Sequence, residues 1–251
     1  PPPSPACLPM STTVSVPPRR VVITGAAGSV GRCAVRGLAA QGHRVLAVDL
    51  VNNPPEGAAE FRQVDITDPV ALDAAFKGQE VVIHLAAIPN DADFMSKLLS
   101  ANYIGLYQVF EAARRAEVQR LITISSSQVV FGHNLELELV GVDAAYAPLN
   151  QYAVSKITME EMGRLYARRY GMQVLVVRPG WLPTSAGDMA SIGRSARTRN
   201  FYLSHNDAER FFAAAVACDK LQRPDFRVVY AQSRGEDESI GLDRAPALEL
   251  L

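Results

Sequence analysis

Short, almost uniformly apolar runs alternate along the chain with longer segments rich in Ala, Leu, Glu and Arg. The runs are Val21-Val22-Ile23, Val45 to Val48, Phe61 to Val64, Val81 to Leu85, Leu121 to Ile124, Val174 to Val177 and Arg227 to Tyr230. Continuous apolarity, as opposed to strict alternation, predicts strands buried on both faces, as in a parallel sheet. The segments between them carry helix signals. Asp68 stands as an N-cap before Pro69, followed by Val70-Ala71-Leu72 and Ala74-Ala75-Phe76, and Arg32 to Ala40 and Gln151 to Tyr170 have helical composition. Alternating strands and helices joined by right-handed crossovers predict an α/β fold, a doubly wound parallel sheet that binds ligands at the carboxyl ends of its strands. The pattern starts at Arg20. Pro1 to Pro18 is Pro-, Ser- and Thr-rich without apolar period and reads as a disordered extension, with Met10 as the natural start. Residues 19–251 read as one domain, and Ala245 to Leu251 as the beginning of a helix that is cut off.

Composition narrows the function classes. At 251 residues and 48% hydrophobic content the chain can bury a core without disulfides or metals. Its three cysteines, Cys7, Cys33 and Cys218, are odd in number and scattered, which points to a reducing, cytoplasmic setting. Lys+Arg 25 against Asp+Glu 26 leaves a formal net charge of -1 with no basic stripe, so neither nucleic acid nor an anionic membrane is an expected partner. No apolar run reaches transmembrane length. His43, His84, His133 and His205 are too scattered for a metal signature. His84, at a buried strand end, reads as a core histidine, and His205 as a candidate cleft residue.

The first strand runs into Thr24-Gly25-Ala26-Ala27-Gly28-Ser29-Val30-Gly31 and then a helix. Gly25 suits a tight turn, Gly28 the close approach of a pyrophosphate, and Gly31 close packing of helix on sheet, while the helix N-terminus faces the phosphates. Asp49, about twenty residues on at the end of the second strand, is placed to accept hydrogen bonds from ribose hydroxyls. A carboxylate there repels a 2'-phosphate and so favours NAD over NADP, a preference that Arg32 and Arg44 can soften.

Tyr152 and Lys156 stand four apart in a helical segment and therefore share a face. A neighbouring ammonium is expected to lower the phenol from about 10 towards neutrality and make Tyr152 a general base. Ser125-Ser126-Ser127 follows directly on an apolar run, where turn chemistry and a catalytic hydroxyl are both compatible with the residues.

Taken together these residues resemble the extended type of short-chain dehydrogenase/reductase, the superfamily of sugar epimerases, dehydratases and dehydrogenases. The marks run from about Arg20 to Tyr230. They are the Thr24 to Gly31 loop, Asp49, Asp65-Ile66, His84-Leu85-Ala86-Ala87, Asn102, Ser125-Ser126-Ser127 with Phe131-Gly132, Tyr152 to Lys156, and Arg178-Pro179-Gly180. The resemblance implies a Rossmann fold with bound NAD. Asp65 and Ile66 would flank the adenine, Leu85, Ala86, Ala87 and Asn102 would line the cofactor site with Gly25, Gly28, Ser29, Val30 and Gly31, and Ser127, Tyr152 and Lys156 would form the catalytic group. Ser127 is preferred to Ser126 because its distance to Gly132 matches the epimerase pattern.

Fewer than a hundred residues follow Lys156, little room for a lobe that binds a nucleotide-sugar. Within the family the chain is most similar to the uronate dehydrogenases, at His84 to Ile88, Asn102 to Tyr107 and Ser204-His205-Asn206-Asp207. That resemblance places Arg197 where a guanidinium grips a sugar carboxylate, with Pro89, Ser126, Ser127 and Gln128 as further substrate contacts and residues 181–251 supplying most of the substrate side. Pro89 and Gln128-Val129 depart from the pattern, and Arg194 and Arg199 are rival anion binders. The expected reaction is oxidation of an aldohexuronate at C1 to an aldarolactone. An epimerase or dehydratase with retained cofactor, and a non-catalytic NAD sensor, are the competing hypotheses. By resemblance, the helix pair Asn102 to Arg115 and Tyr152 to Tyr170 predicts a homodimer.

Overall fold

The computed structural model describes residues 17–192, 194, 200–235, 237, 239 and 241–250. In chain order its strands are β1 (Arg20–Thr24), β2 (Arg44–Asp49), β3 (Glu60–Gln63), β4 (Val81–His84), β5 (Arg120–Ile124), β6 (Leu139–Val140), β7 (Gln173–Pro179), β8 (Asp225–Ala231) and β9 (Gly241–Leu242). Seven of them form a parallel sheet in the order β3-β2-β1-β4-β5-β7-β8. The expected doubly wound α/β fold is thus observed. The chain reverses direction of winding between β1 and β4, and that crevice is where such sheets take ligands. Each predicted run lies on a strand, with small shifts at the ends. Val64 and Leu85 fall just past β3 and β4, although the Val64 N–H still donates to the Asp49 carbonyl at 2.9 Å.

The helices are α1 (Ser29–Ala40), α2 (Pro69–Phe76), α3 (Leu106–Arg115), α4 (Gln151–Tyr170), α5 (Ala186–Ser191), α6 (His205–Ala217) and α7 (Ala245–Leu250). Their starts are written in side chains. The Asp68 carboxylate accepts from Val70 and Ala71 N–H, Asn150 Oδ1 from Ala153 N–H, and Ser204 Oγ from Asp207 N–H, each supplying an acceptor to an otherwise orphaned first turn. Gly171, at φ +66, ends α4 in a left-handed cap. The helix predicted from Asn102 is two pieces, a wide-turned π-helical stretch, Phe94–Gly105, running directly into α3.

Both faces of the sheet are covered. On one side α1 and α6 bring Cys33, Leu38, Phe212 and Val216 against β1, β2 and β5; on the other α2, α3 and α4 bring Leu72, Phe110, Met159 and Tyr166. α1 and α6 meet closely at Gly37, where a Cβ would stand 2.3 Å from the Glu209 carbonyl oxygen, and Arg36 pairs with Glu209 at 2.8 Å. A small sheet of β6 and β9, invisible as an apolar run because each has only two residues, sits outside the main one.

Candidate active site

At the carboxyl end of β1 the glycines have separable reasons. Gly25 has φ +71, and a Cβ on it would stand 2.5 Å from Ala86 N. On Gly31 a Cβ would meet the Gly25 carbonyl oxygen at 2.3 Å. Both are required by the protein's own backbone. Gly28 is different, because its Cβ would meet only the Gly25 oxygen, at 3.3 Å. It is the N-cap of α1 and offers no side-chain acceptor to the first-turn N–H groups. Bare backbone on the cleft side and uncapped donors at a helix start form a cradle for a phosphate, so the residues present fit a dinucleotide. Gly25, Gly28, Ser29, Val30 and Gly31 line one cleft of about 640 Å3.

Asp49, at the end of β2, is held in place by its neighbours. Oδ2 accepts from Ala27 N–H at 2.8 Å and Oδ1 from Val51 N–H at 3.1 Å. Arg32 is anchored beside it, donating to the Ala27 and Asn53 carbonyls at 3.0 and 3.3 Å.

Across the cleft stand Tyr152 and Lys156 on α4, one turn apart and both buried. Lys156 Nζ donates to the Ile124 carbonyl at 2.8 Å and lies 5.6 Å from the centroid of the Tyr152 ring. The expected drop of the phenol towards neutrality is not seen in the chain alone. Burial pushes Tyr152 up to about 12, against a smaller downward pull from its hydrogen bond with Ser126. Burial also pulls the Lys156 ammonium down to about 8, opposed by the Glu160 carboxylate. Desolvation exceeds the effect of the ammonium at this separation.

The two serines of the run are held differently. Ser126, in extended conformation, accepts from Gln128 N–H on its hydroxyl at 3.1 Å, whereas Ser127 donates its own to the Pro179 carbonyl at 2.5 Å. Ser127 begins a tight 3-10 turn, Ser127–Val130, which swings its side chain under β7. Ser126, Ser127 and Gln128 nevertheless all line the cleft, with Leu85, Ala87 and Pro89. Other predicted residues lie outside that lining. Asn102 commits both ends of its amide to protein, accepting from Ile88 N–H at 2.8 Å and donating to the Ile88 carbonyl and to Ser155 Oγ at 3.1 and 3.0 Å. It therefore clamps the loop after β4 to α4. Asp65, at the end of the β3 connection, accepts from Thr67 N–H and hydroxyl at 2.8 Å, and Ile66 packs into the core against Gly105. Ala86 closes on Gly25. Arg197 and Arg199 lie outside the described residues; Arg194 is exposed.

His84 is the core histidine expected, fully enclosed, with Nδ1 2.8 Å from Thr24 Oγ1 across the β1–β4 register, and burial pulls its imidazolium down to about 3. His205 Nε2 is hydrogen-bonded to the Pro183 carbonyl at 2.8 Å and is not among the described residues lining the cleft. Phe131, Trp181 and Phe201 enclose the far side, the last two, which had no readable signal, joined where Trp181 N–H donates to the Phe201 carbonyl at 2.8 Å. Among the described lining residues Lys156 is the one charged side chain. A larger hollow of about 760 Å3 lies against the β8 edge, away from all these groups. Among the described residues no cluster of three or more His, Cys, Asp or Glu could hold a metal, and no helix is long and apolar enough to cross a membrane.

A glycine turn between β1 and α1 with uncapped helix donors, a carboxylate at the end of β2 and a Tyr-Lys pair across the switch-point crevice are the features of a nicotinamide-dependent enzyme of the Rossmann class. Residues 21–183 match the model of the NAD dependent epimerase/dehydratase family. The chain is 35% identical over 222 residues to L-arabinose 1-dehydrogenase (NAD(P)(+)) of Haloferax volcanii, covering 82% of this chain and 85% of that one. It is 31% identical over 206 residues to uronate dehydrogenase of Pseudomonas syringae pv. tomato, covering 81% and 72%. A crystal structure of an Agrobacterium tumefaciens uronate dehydrogenase mutant complexed with NAD superposes with a TM-score of 0.79 at 27% identity, over 92% of this chain and 83% of that one. The chain belongs to the NAD-dependent epimerase/dehydratase family, within the short-chain dehydrogenase/reductases. It is an NAD-dependent dehydrogenase with an architecture like that of the uronate dehydrogenases.

Proposed function

We propose that the chain oxidises C1 of an aldohexuronate to the aldarolactone. The observation that carries this is the placement of Tyr152 and Lys156, one turn apart on α4, in the same cleft of about 640 Å3 as the glycine cradle. Bound oxidised nicotinamide would accept the hydride leaving C1, and its positive charge would favour the phenolate. Gly28 and the start of α1 hold the pyrophosphate, Asp49 the adenosine ribose, and Lys156 the nicotinamide ribose. Tyr152 accepts the C1 hydroxyl proton, and Ser126 and Ser127 flank the reacting oxygen. Arg197 is assigned to the sugar carboxylate, which a guanidinium binds bidentately.

A second substrate class has its own support. The described lining carries no cation other than Lys156, its far wall is aromatic, and one relative is an arabinose dehydrogenase. A neutral aldose suits those walls. NADH formation from NAD with glucuronate, galacturonate, glucose and arabinose decides the matter. Turnover of uronates that Arg197→Ala abolishes supports the carboxylate assignment; turnover of neutral sugars alone replaces it. Bound cofactor without net NADH would point to an epimerase instead.

The protein is further proposed to be a cytoplasmic homodimer. Cys33 and Cys218 are both free thiols. Ile104, at the end of the π-helical stretch, Tyr107, at the start of α3, and Val154 and Leu165, on α4, leave large apolar side chains exposed on the helix pair. Sedimentation at micromolar concentration tests it, with Tyr107→Glu expected to give monomers.

A further inference from the structure

Glu160 is a fully buried carboxylate that no step of the proposed reaction uses. It stands on α4 one turn beyond Lys156 and two beyond Tyr152. Four donors converge on it. Oε1 accepts from Ser125 Oγ at 2.5 Å and Arg178 Nε at 2.9 Å, and Oε2 from Arg178 Nη2 at 2.8 Å and the Tyr146 hydroxyl at 3.1 Å. Arg178, on β7, is as enclosed as its partner, and its other terminal nitrogen donates to the Val142 carbonyl and the Tyr230 hydroxyl, each at 3.1 Å. Buried ion pairs of this kind seldom add net stability, since removing two charges from water costs about as much as their attraction provides.

Position supplies another role. Lys156 donates to the carbonyl of Ile124, and Glu160 accepts from the hydroxyl of Ser125, the very next residue. Two side chains four apart on one face of α4 thus grip consecutive residues at the end of β5, immediately before Ser126 and Ser127. We infer that Glu160 is a positioning residue, which locks the Ile124 carbonyl against the Lys156 ammonium and keeps a negative charge one helical turn away from it. The inference rests on the proposed role of Tyr152 and Lys156 as the reacting group.

The charges around Lys156 agree with this. His84 faces it from β4 and is neutral, Tyr152 and Glu160 face it from α4, and Arg178 stands behind Glu160 on β7. Glu160 is therefore the counter-charge that opposes the loss of the Lys156 proton through burial.

The chain has four lysines, Lys77, Lys97, Lys156 and Lys220. In 13C-lysine-labelled protein the Lys156 signal is the one missing from Lys156→Met, and its titration can be followed without any turnover. In Glu160→Gln with Arg178→Gln, which replaces two charges by two amides, the Lys156 midpoint is expected to fall by about one pH unit or more. Glu160→Asp keeps the charge but draws it back, and its midpoint is expected between the native and doubly substituted values. It decides alone if the double variant does not fold. A native midpoint in either folded variant overturns the inference. NADH titrated against the fluorescence of Trp181, the single tryptophan, separates this from the cofactor assignment. A lowered midpoint with native NADH affinity at about pH 7.5, where the native Lys156 is mostly charged and the variant's mostly neutral, upholds the hold of Glu160 on Lys156 and refutes the contact of Lys156 with the cofactor.

Discussion

Asn150 caps α4 with one end of its amide and holds Gln128 with the other. Oδ1 accepts from Ala153 N–H and Nδ2 donates to Gln128 Oε1, both at 2.8 Å. The Gln128 carbonyl is thereby engaged, while none of the described residues accepts from its Nε2. A cleft-lining amide fixed in this sense is a donor for a sugar oxygen or carboxylate. Gln128→Leu is expected to raise the sugar KM at least about tenfold, the scale of one lost hydrogen bond to a bound polar group. NADH affinity should stay native. Asn150→Ala should raise KM in the same direction and also lower stability by about 1 kcal/mol through the lost cap. Steady-state kinetics and denaturant titration read both effects, and an unchanged KM in Gln128→Leu would remove the residue from the substrate site.

Gly28 and Gly31 should respond oppositely to one methyl group. Gly28→Ala asks the Gly25 carbonyl to give way by only a few tenths of an ångström, so its Tm should fall far less than that of Gly31→Ala while NADH affinity falls at least about tenfold, because the methyl intrudes where a phosphate approaches. Gly31→Ala drives a Cβ into backbone and should cost about 1–3 kcal/mol of stability. Native NADH affinity in Gly28→Ala would place the phosphate elsewhere.

The two serines make a sharp comparison. Ser126 lines the cleft beside Tyr152 without donating to a described protein carbonyl as Ser127 does, so it is expected to be the more costly to lose: Ser126→Ala should lower kcat about 10- to 100-fold with little change in NADH affinity. Ser127→Ala frees the Pro179 carbonyl and should cost less in kcat. If Ser127→Ala is the slower enzyme, its hydroxyl must leave Pro179 when substrate binds.

Acid should destabilise the protein through His84. Its folded value of about 3 lies below the unfolded 6.5, so between those limits the unfolded chain binds the extra proton. The stabilising contribution is complete above pH 6.5 and is lost progressively as pH falls towards 3, on the order of 4 kcal/mol in all. Burial lowers His43 too, in the same sense. His84→Gln should therefore show a shallower fall of Tm between pH 7 and 4 than the native chain. Equal slopes would show that other groups carry the acid transition.

The fold was readable from the chain because strands buried on both faces leave continuous apolar runs. Gly25, Gly28 and Gly31 could be assigned because a turn, a phosphate and a packed helix each exclude a side chain for local reasons. Local spacing also put Tyr152 and Lys156 on one face, but it carries no measure of burial, and burial is what sends the phenol up instead of down. The same blindness hid Asn150, whose second bond crosses 22 residues, and the pairing of Arg178 with Glu160, which forms only when α4 packs on β7. Trp181 and Phe201 belong to loops, where no periodicity marks a side chain as part of a wall.

The contact of α1 with α6 at Gly37 has a consequence for how such a protein can diversify. The helix that begins at the phosphate cradle is fixed along its flank to α6, and Ser204 in turn ties the start of α6 to Ser233. Neither helix can shift to admit a larger sugar without disturbing the cofactor end. New specificity is therefore expected from the loops that line the cleft, at Pro89, Gln128 and between β7 and α6, while the two helices stay as they are.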